Sequence, residues 1–536
     1  GGGGGGGGGW GGGGGGGGWG GGWGGAGGRG GEVAEKGRVV ERWGMAEVVL
    51  KGPAEGNPFV EVTLSAKFTQ GEKSVEVAGF YDGEGVYRIR FEPGEVGEWK
   101  YVTTSNRAGL DGQTGVVTAT AATGGNHGPV GVRHVFHFGY ADGSVYVPIG
   151  TTCYYWVMQP DAVEDETVAT LKGSPFNKIR MFVMPAADGF GAGVTGVYPF
   201  AGKAPKEWDF TRFNPVFFRN IEKRVEQLGE LGIEADLILF NPYDKGKWGY
   251  DNMGAGNDER YVRYVVARLG AYRNVWWSLA NEFDLMKTKT DADWDRLFQV
   301  VAASDPYGHL RSIHHSMRLY EYWKPWVTHA SLQNGSAVED FGRAELYRDV
   351  YDKPIVLDEV KYEGDLVQRW GHLTGEEMVA RFWQGTIAGV YVGHSECFTN
   401  PGGTVWMNQG GVLKGESAAR IGFLKGIIAS AGERDIDPID KWQDVRTAGK
   451  TGEFYLVYFG EEKPVSWKFE LPKAGLREGM RFKVEVMDTW GMTVMPVEGE
   501  FVISAEGKYR YGAVGGKEVG LPGRRGMAVR IVRVGE

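Results

Sequence analysis

The sequence predicts a multidomain protein, a central (β/α)₈ TIM barrel flanked by two all-β sandwich domains. Three observations lead there. The chain of 536 residues exceeds the size at which one hydrophobic core stops growing. Short alternating strands separated by turn signals occupy residues 32–123 and its last fifth. Between them, from Tyr146 to about Ser430, apolar runs alternate with amphipathic stretches long enough for helices, the signature of βα units.

Taken in order, residues 1–31 are almost pure glycine punctuated by Trp10, Trp19 and Trp23. Such a segment buries too little to offset its backbone entropy, so it is expected to be disordered and carries no functional inference. Residues 32–123 read as the first sandwich, with strands at Ala46 to Leu50, Phe59 to Phe68, Ser74 to Tyr81, Gly85 to Phe91, Gly97 to Thr103 and Gly115 to Ala119. Asp82-Gly83, Pro93-Gly94 and Asp111-Gly112 supply turns between them, a spacing typical of sandwiches.

Residues 124–430 form the expected barrel. Eight apolar runs can be counted: Tyr146 to Thr151, Asn177 to Met184, Glu234 to Phe240, Asn274 to Ala280, His309 to His314, Val327 to Leu332, Pro354 to Asp358 and Gly389 to Ser395. A helix between the second and third is marked by Asn214 as N-cap, Pro215 at the first helical position, and Phe218, Ile221, Val225, Leu228 and Leu231 at helical spacing. Thr374-Gly375-Glu376-Glu377 fits a capping box. The segment approaches the ~250 residues typical of such barrels. Residues 431–536 return to β patterning at Glu453 to Phe459, Val465 to Glu470, Arg481 to Asp488 and Met527 to Val532, the second predicted sandwich.

Composition excludes several function classes. A net charge of −9, spread without long like-charge blocks, favours neither a nucleic-acid nor an anionic-membrane partner. No run approaches the ~20 apolar residues of a membrane span, and no charged and then apolar leader opens the chain, so a cytoplasmic protein is expected. Cys153 and Cys397 each lie within apolar or aromatic sequence and are expected to be buried free thiols. The oligomeric state is not legible.

In such barrels catalytic groups sit at the carboxyl ends of strands, so the informative residues are polar ones directly after an apolar run. Two stand out: Asn281-Glu282 after Val275-Trp276-Trp277-Ser278-Leu279-Ala280, and Asp358-Glu359 after Pro354-Ile355-Val356-Leu357. Glycoside cleavage needs one protonated and one ionised carboxyl flanking the anomeric carbon, about 5–5.5 Å apart when a covalent intermediate forms. Strands four and seven can present such a pair across a barrel mouth. Side chains alternate along a strand, so only one of Asp358 and Glu359 is expected to face the mouth. Asp284 and Glu396 are weaker candidates.

These residues resemble the retaining glycoside hydrolases of clan A, whose acid/base follows an asparagine at the end of strand four and whose nucleophile ends strand seven. The resemblance covers roughly Tyr146 to Ser430. It implies Glu282 as general acid/base and Glu359 as nucleophile, Asn281 on the sugar 2-hydroxyl, and Arg180 supporting the nucleophile. His314, beside His315, matches a histidine after strand five. Gln333 stands where many members place a tyrosine that hydrogen-bonds the nucleophile. The wider order of domains resembles an uncharacterised bacterial family of glycosidase-like proteins. The implied partner is a carbohydrate substrate, with no cofactor. Aromatic faces suited to a pyranose are offered by Tyr154-Tyr155-Trp156 after strand one, by Trp248 and Tyr250 after strand three, and by Trp406 with His394 near strand eight. A carbohydrate-binding barrel without turnover and a transglycosylase are the alternative readings.

Other signals were set aside. Gly191, Gly193 and Gly196 satisfy G-x-G-x-x-G but run into Val197-Tyr198-Pro199-Phe200 instead of a helix that could hold a pyrophosphate. His127, His134 and His137 match no zinc spacing, so no metal is expected. No G-x-S-x-G elbow supports a serine esterase.

Overall fold

The computed structural model describes residues 39–187, 196–399 and 406–535. Gly1 to Gly31, and the Gly191 and Gly193 of the glycine motif, lie outside the described residues. Eight parallel strands form the central sheet: β1 (Gly150–Thr152), β2 (Lys178–Phe182), β3 (Glu234–Phe240), β4 (Val275–Ala280), β5 (Arg311–Ser312), β6 (Ala330–Gln333), β7 (Ile355–Glu359) and β8 (Tyr391–His394). They neighbour one another in the order β5-β4-β3-β2-β1-β8-β7-β6. A parallel bridge between His314, just past β5, and Ser331 of β6 joins the two ends into a barrel.

The apolar run beginning at Tyr146 is divided in the structure. Val145–Tyr146 belongs to a three-stranded antiparallel sheet with His137–Tyr140 and Val130–Arg133. The chain resumes as β1 only after Pro148, which has no N–H to give a ladder. That small sheet packs Val130, Phe138 and Tyr146 against Trp276, Leu310 and Val356, closing the amino-terminal end of the barrel with an apolar plug. Function is thereby confined to the opposite end.

Helices α1 (Asp161–Lys172), α2 (Pro215–Glu230), α3 (Ala255–Leu269), α4 (Asp291–Ser304), α5 (Phe341–Tyr351), α6 (Gly375–Ile387) and α7 (Ser417–Ala429) lie outside the strands. In α2 the Asn214 side chain accepts from Val216 N, Pro215 sits at the first position, and Phe218, Ile221, Val225 and Leu228 are buried. Each such side chain contributes about 1.5–3 kcal/mol by leaving water. The capping box of α6 is complete, Thr374 and Glu377 each accepting from the other's backbone.

Residues 39–120 pair as a five-stranded sheet and a three-stranded one. Phe68, Tyr87, Ile89, Phe91 and Trp99 share a core there, with Phe68 and Phe91 stacked at 3.9 Å. From Asp437–Asp440 to Met527–Arg533 the chain forms a barrel-like antiparallel sheet around Phe469, Phe482 and Phe501. Buried ion pairs fasten the first unit to the barrel, Arg90 and Arg268 both reaching Glu222. No helix among the described residues is long and apolar enough to cross a membrane. Both cysteines are free and buried.

Candidate active site

The barrel interior carries charge where an apolar filling is usual. Lys178, on β2, reaches Asp236 of β3 at 2.6 Å and Asp358 of β7 at 3.0 Å. One turn of pleat higher, Arg180 is completely enclosed and stands 3.6 Å from Glu359 Oε1. Lys178 and Arg180 outweigh burial and hold the Asp358 carboxyl well below the usual range. Asp358 is therefore a structural anion of the barrel. With Glu359 at the mouth, strict alternation would turn Asp358 away from the barrel interior, yet both point inward. Leu332 pairs with Leu357, but Gln333 pairs with Glu359, so the register slips past Asp358. That bulge lets two consecutive acidic side chains enter the barrel at different depths.

Glu282 follows β4 with φ 44° and ψ 51°, a left-handed conformation costly for a residue with a Cβ and frequent at functional sites. Backbone bonds from Asn281 N to Phe240 O and from Phe283 N to His314 O hold this turn on either side. The Tyr243 hydroxyl donates to Glu282 Oε2 at 2.5 Å. Asn281 is fully buried; its Oδ1 accepts from Arg180 and its Nδ2 donates to Tyr243 at 2.8 Å. It meets the cleft through Tyr243, where direct contact with a sugar was expected.

Glu359 accepts from the Tyr154 hydroxyl, and Tyr362 stands 3.4 Å behind that hydroxyl. Gln333 faces two carboxylates, so its amide presents nitrogen to them: Nε2 is 3.1 Å from Glu282 Oε1 and 3.1 Å from Glu359 Oε2. The facing oxygens thus lie within twice that distance of each other. Burial, then the charge of Glu282, pushes the Glu359 carboxyl up to about 7 against the pull of Arg180 and the two tyrosine hydroxyls. His314 bonds Ser331 through Nδ1 and lies 3.5 Å from Glu359 Oε1; burial and Arg180 hold it well below its ordinary value, hence neutral.

These groups open on a cleft of about 730 Å³, within the range of small-ligand sites. Its walls include Tyr154, Tyr155, Tyr243, Tyr362, Trp370 and Met407. The structure thus gathers Glu282, Glu359, Asn281, Arg180, His314 and Gln333. Trp156, His394 and Trp406 do not line the cleft. Trp156 is packed in the core, Trp406 Nε1 donates to Thr151, and His394 stacks on Phe176. Trp248 and Tyr250 are likewise core residues, packed with Trp208. Aromatic character marks cores as readily as sugar platforms, and only the tyrosine hydroxyls of the site distinguish it. Asp284 accepts the backbone N–H groups of Ser316, Met317 and Arg318, which shape the loop after β5. Tyr243 and Tyr362 were not singled out from sequence; their only signal was a polar aromatic residue within three positions of a strand end.

Three family models match the chain: Apiosidase-like, catalytic domain, over residues 138–396, and two domains of unknown function, DUF5060 over 39–106 and DUF5605 over 442–532. No curated protein matches. Among solved structures, a candidate glycoside hydrolase from Bacteroides vulgatus ATCC 8482 is 41% identical, with a TM-score of 0.90 over 92% of this chain and 100% of that one. A family 5 glycoside hydrolase from the same organism is 14% identical, covering 76% of this chain and 93% of that one at a TM-score of 0.53, a likeness of fold. The 41% identity over the whole length of the first relative places this chain in that relative's family of glycoside hydrolases.

Proposed function

We propose that the protein hydrolyses a β-linked glycoside with retention of configuration, Glu359 acting as nucleophile and Glu282 as general acid and then general base. The observation that carries this reading is the Gln333 amide nitrogen 3.1 Å from an oxygen of each glutamate. The two facing oxygens lie within twice that distance of each other, which is compatible with the about 5–5.5 Å of a retaining pair. The donors are unevenly shared. Tyr154 and Arg180 address Glu359, favouring its anion for attack against the upward push of burial and Glu282, while Glu282 serves the departing oxygen. Having given its proton to the departing oxygen, Glu282 is left as the carboxylate that takes a proton from water as the water attacks the glycosyl–enzyme. Asn281 and His314 act by holding Arg180, Tyr243 and Glu359 in place. The cleft walls supply tyrosine and tryptophan faces for the sugar. We further infer a division into units 32–123, 124–430 and 431–536, supported by the separate cores on either side of the barrel.

The test is proton NMR of the first-formed anomer with aryl β-glycosides and plant or bacterial oligosaccharides. The name of the matched family model puts apiosides in that panel. A retained anomer supports the reading and an inverted one overturns it. Binding without turnover across the panel would favour a carbohydrate-binding barrel.

A further inference from the structure

We propose that Glu363, His394 and Glu396 bind one divalent metal ion of the zinc or manganese type behind the wall of the cleft. Glu363 and Glu396 face each other because Glu363–Gly364 pairs in parallel with Glu396–Cys397, and His394 ends β8 beside them. All three are buried, and one ligand atom from each lies within 4.8 Å of the others. His394 Nε2 and Glu396 Oε1 have no hydrogen-bond partner. They stand 3.7 Å apart, too far for a hydrogen bond. Ligands sharing an ion at about 2.1 Å stand roughly 3.4 Å from each other in a tetrahedral set, so the spacing suits a common ion better than a direct contact.

The surroundings orient these atoms. Glu363 accepts the N–H groups of Glu416 (2.8 Å) and Ser417 (3.2 Å) at the start of α7, and Glu396 Oε2 accepts Lys414 N at 2.7 Å. The Ser417 hydroxyl also donates to Glu363 Oε2, so the oxygens that keep a lone pair for a metal are Glu363 Oε1 and Glu396 Oε1. His394 Nδ1 is 3.0 Å from Thr151 Oγ1; a proton donated there leaves the Nε2 lone pair free, the usual arrangement of a ligating imidazole. Gly415 makes room, since a Cβ there would stand 2.4 Å from Glu363 Oε2 and 2.7 Å from Glu396 Oε1. Among the described residues neither carboxylate pairs with a lysine or arginine, so two buried anions meet one imidazole. A divalent ion balances that charge, and one nitrogen with carboxylate oxygens suits zinc or manganese better than the all-oxygen preference of calcium or magnesium. Bound there, it would tie β8 and α7 to the segment that carries Tyr362 and Trp370 into the cleft.

The test uses the whole chain, stripped with EDTA, dialysed and reloaded with zinc chloride or manganese chloride. Metal content is read by mass spectrometry after gel filtration and unfolding by calorimetry. One equivalent retained per chain, with a Tm several degrees above that of the stripped protein, is expected. Both should be lost in Glu396→Gln and His394→Gln. A wild type that keeps no metal, or that keeps as much as Glu396→Gln, overturns the proposal; the wild-type measurement decides even where a variant fails to fold.

Discussion

The hydroxyl of Tyr154, two residues past β1, donates to Glu359 at the end of β7, crossing the barrel mouth to the carboxylate that Gln333 links to Glu282.

Tyr154→Phe removes a donor to a charged acceptor, worth about 1.5–3 kcal/mol. A fall in kcat/KM of roughly 10- to 100-fold is expected. Because Tyr154 holds the Glu359 carboxyl down, its loss should also move the acid limb of the pH profile upward. Steady-state kinetics across pH read both effects; a fall without a shift in the limb would make Tyr154 a packing residue only.

Glu359 titrates at about 7 in the folded protein, above its ordinary value near 4.3. A raised folded pKa stabilises the protein below the unfolded value, and this contribution is lost as pH rises through the folded one. Glu359→Gln should therefore melt close to the wild type at pH 4 and higher than it at pH 8, the stability difference reaching about 3.5 kcal/mol. Calorimetry at the two pH values checks the sign. Wild-type kcat/KM should rise with an acid limb near 7, as the nucleophile ionises.

Glu282→Ala and Glu359→Ala should respond differently to azide. Without its acid/base the enzyme still glycosylates from an activated aryl glycoside and then stalls, so azide should restore turnover of Glu282→Ala and give a glycosyl azide of retained configuration. Azide acting on Glu359→Ala would give the inverted product. Product NMR checks this, and exchanged outcomes would exchange the two roles.

Lys178→Met should strand Asp236 and Asp358 as buried anions without their shared cation. A loss of about 3–5 kcal/mol is expected, read as a large fall in Tm at neutral pH. Acidification should recover part of it, since protonated aspartates need no partner.

Sequence by itself determined the barrel and its two strand-end glutamates. Eight apolar runs followed by polar residues can be read locally, because period and composition are properties of a few neighbouring residues. The Asn214 cap and the Thr374 capping box were legible for the same reason. Tertiary structure alone decided which neighbours meet. Alternation along β7 assigned one of Asp358 and Glu359 to the mouth, but the register slip against β6 turned both inward, and a bulge depends on the partner strand. Trp156 and Tyr154 sit two positions apart with similar local character, yet one is packed away from the cleft and the other bonds Glu359. The meeting of Glu363, His394 and Glu396 joins three strand ends. Contacts of this kind depend on barrel closure, which brings residues distant in sequence together at a few ångströms and leaves no periodic trace in the chain.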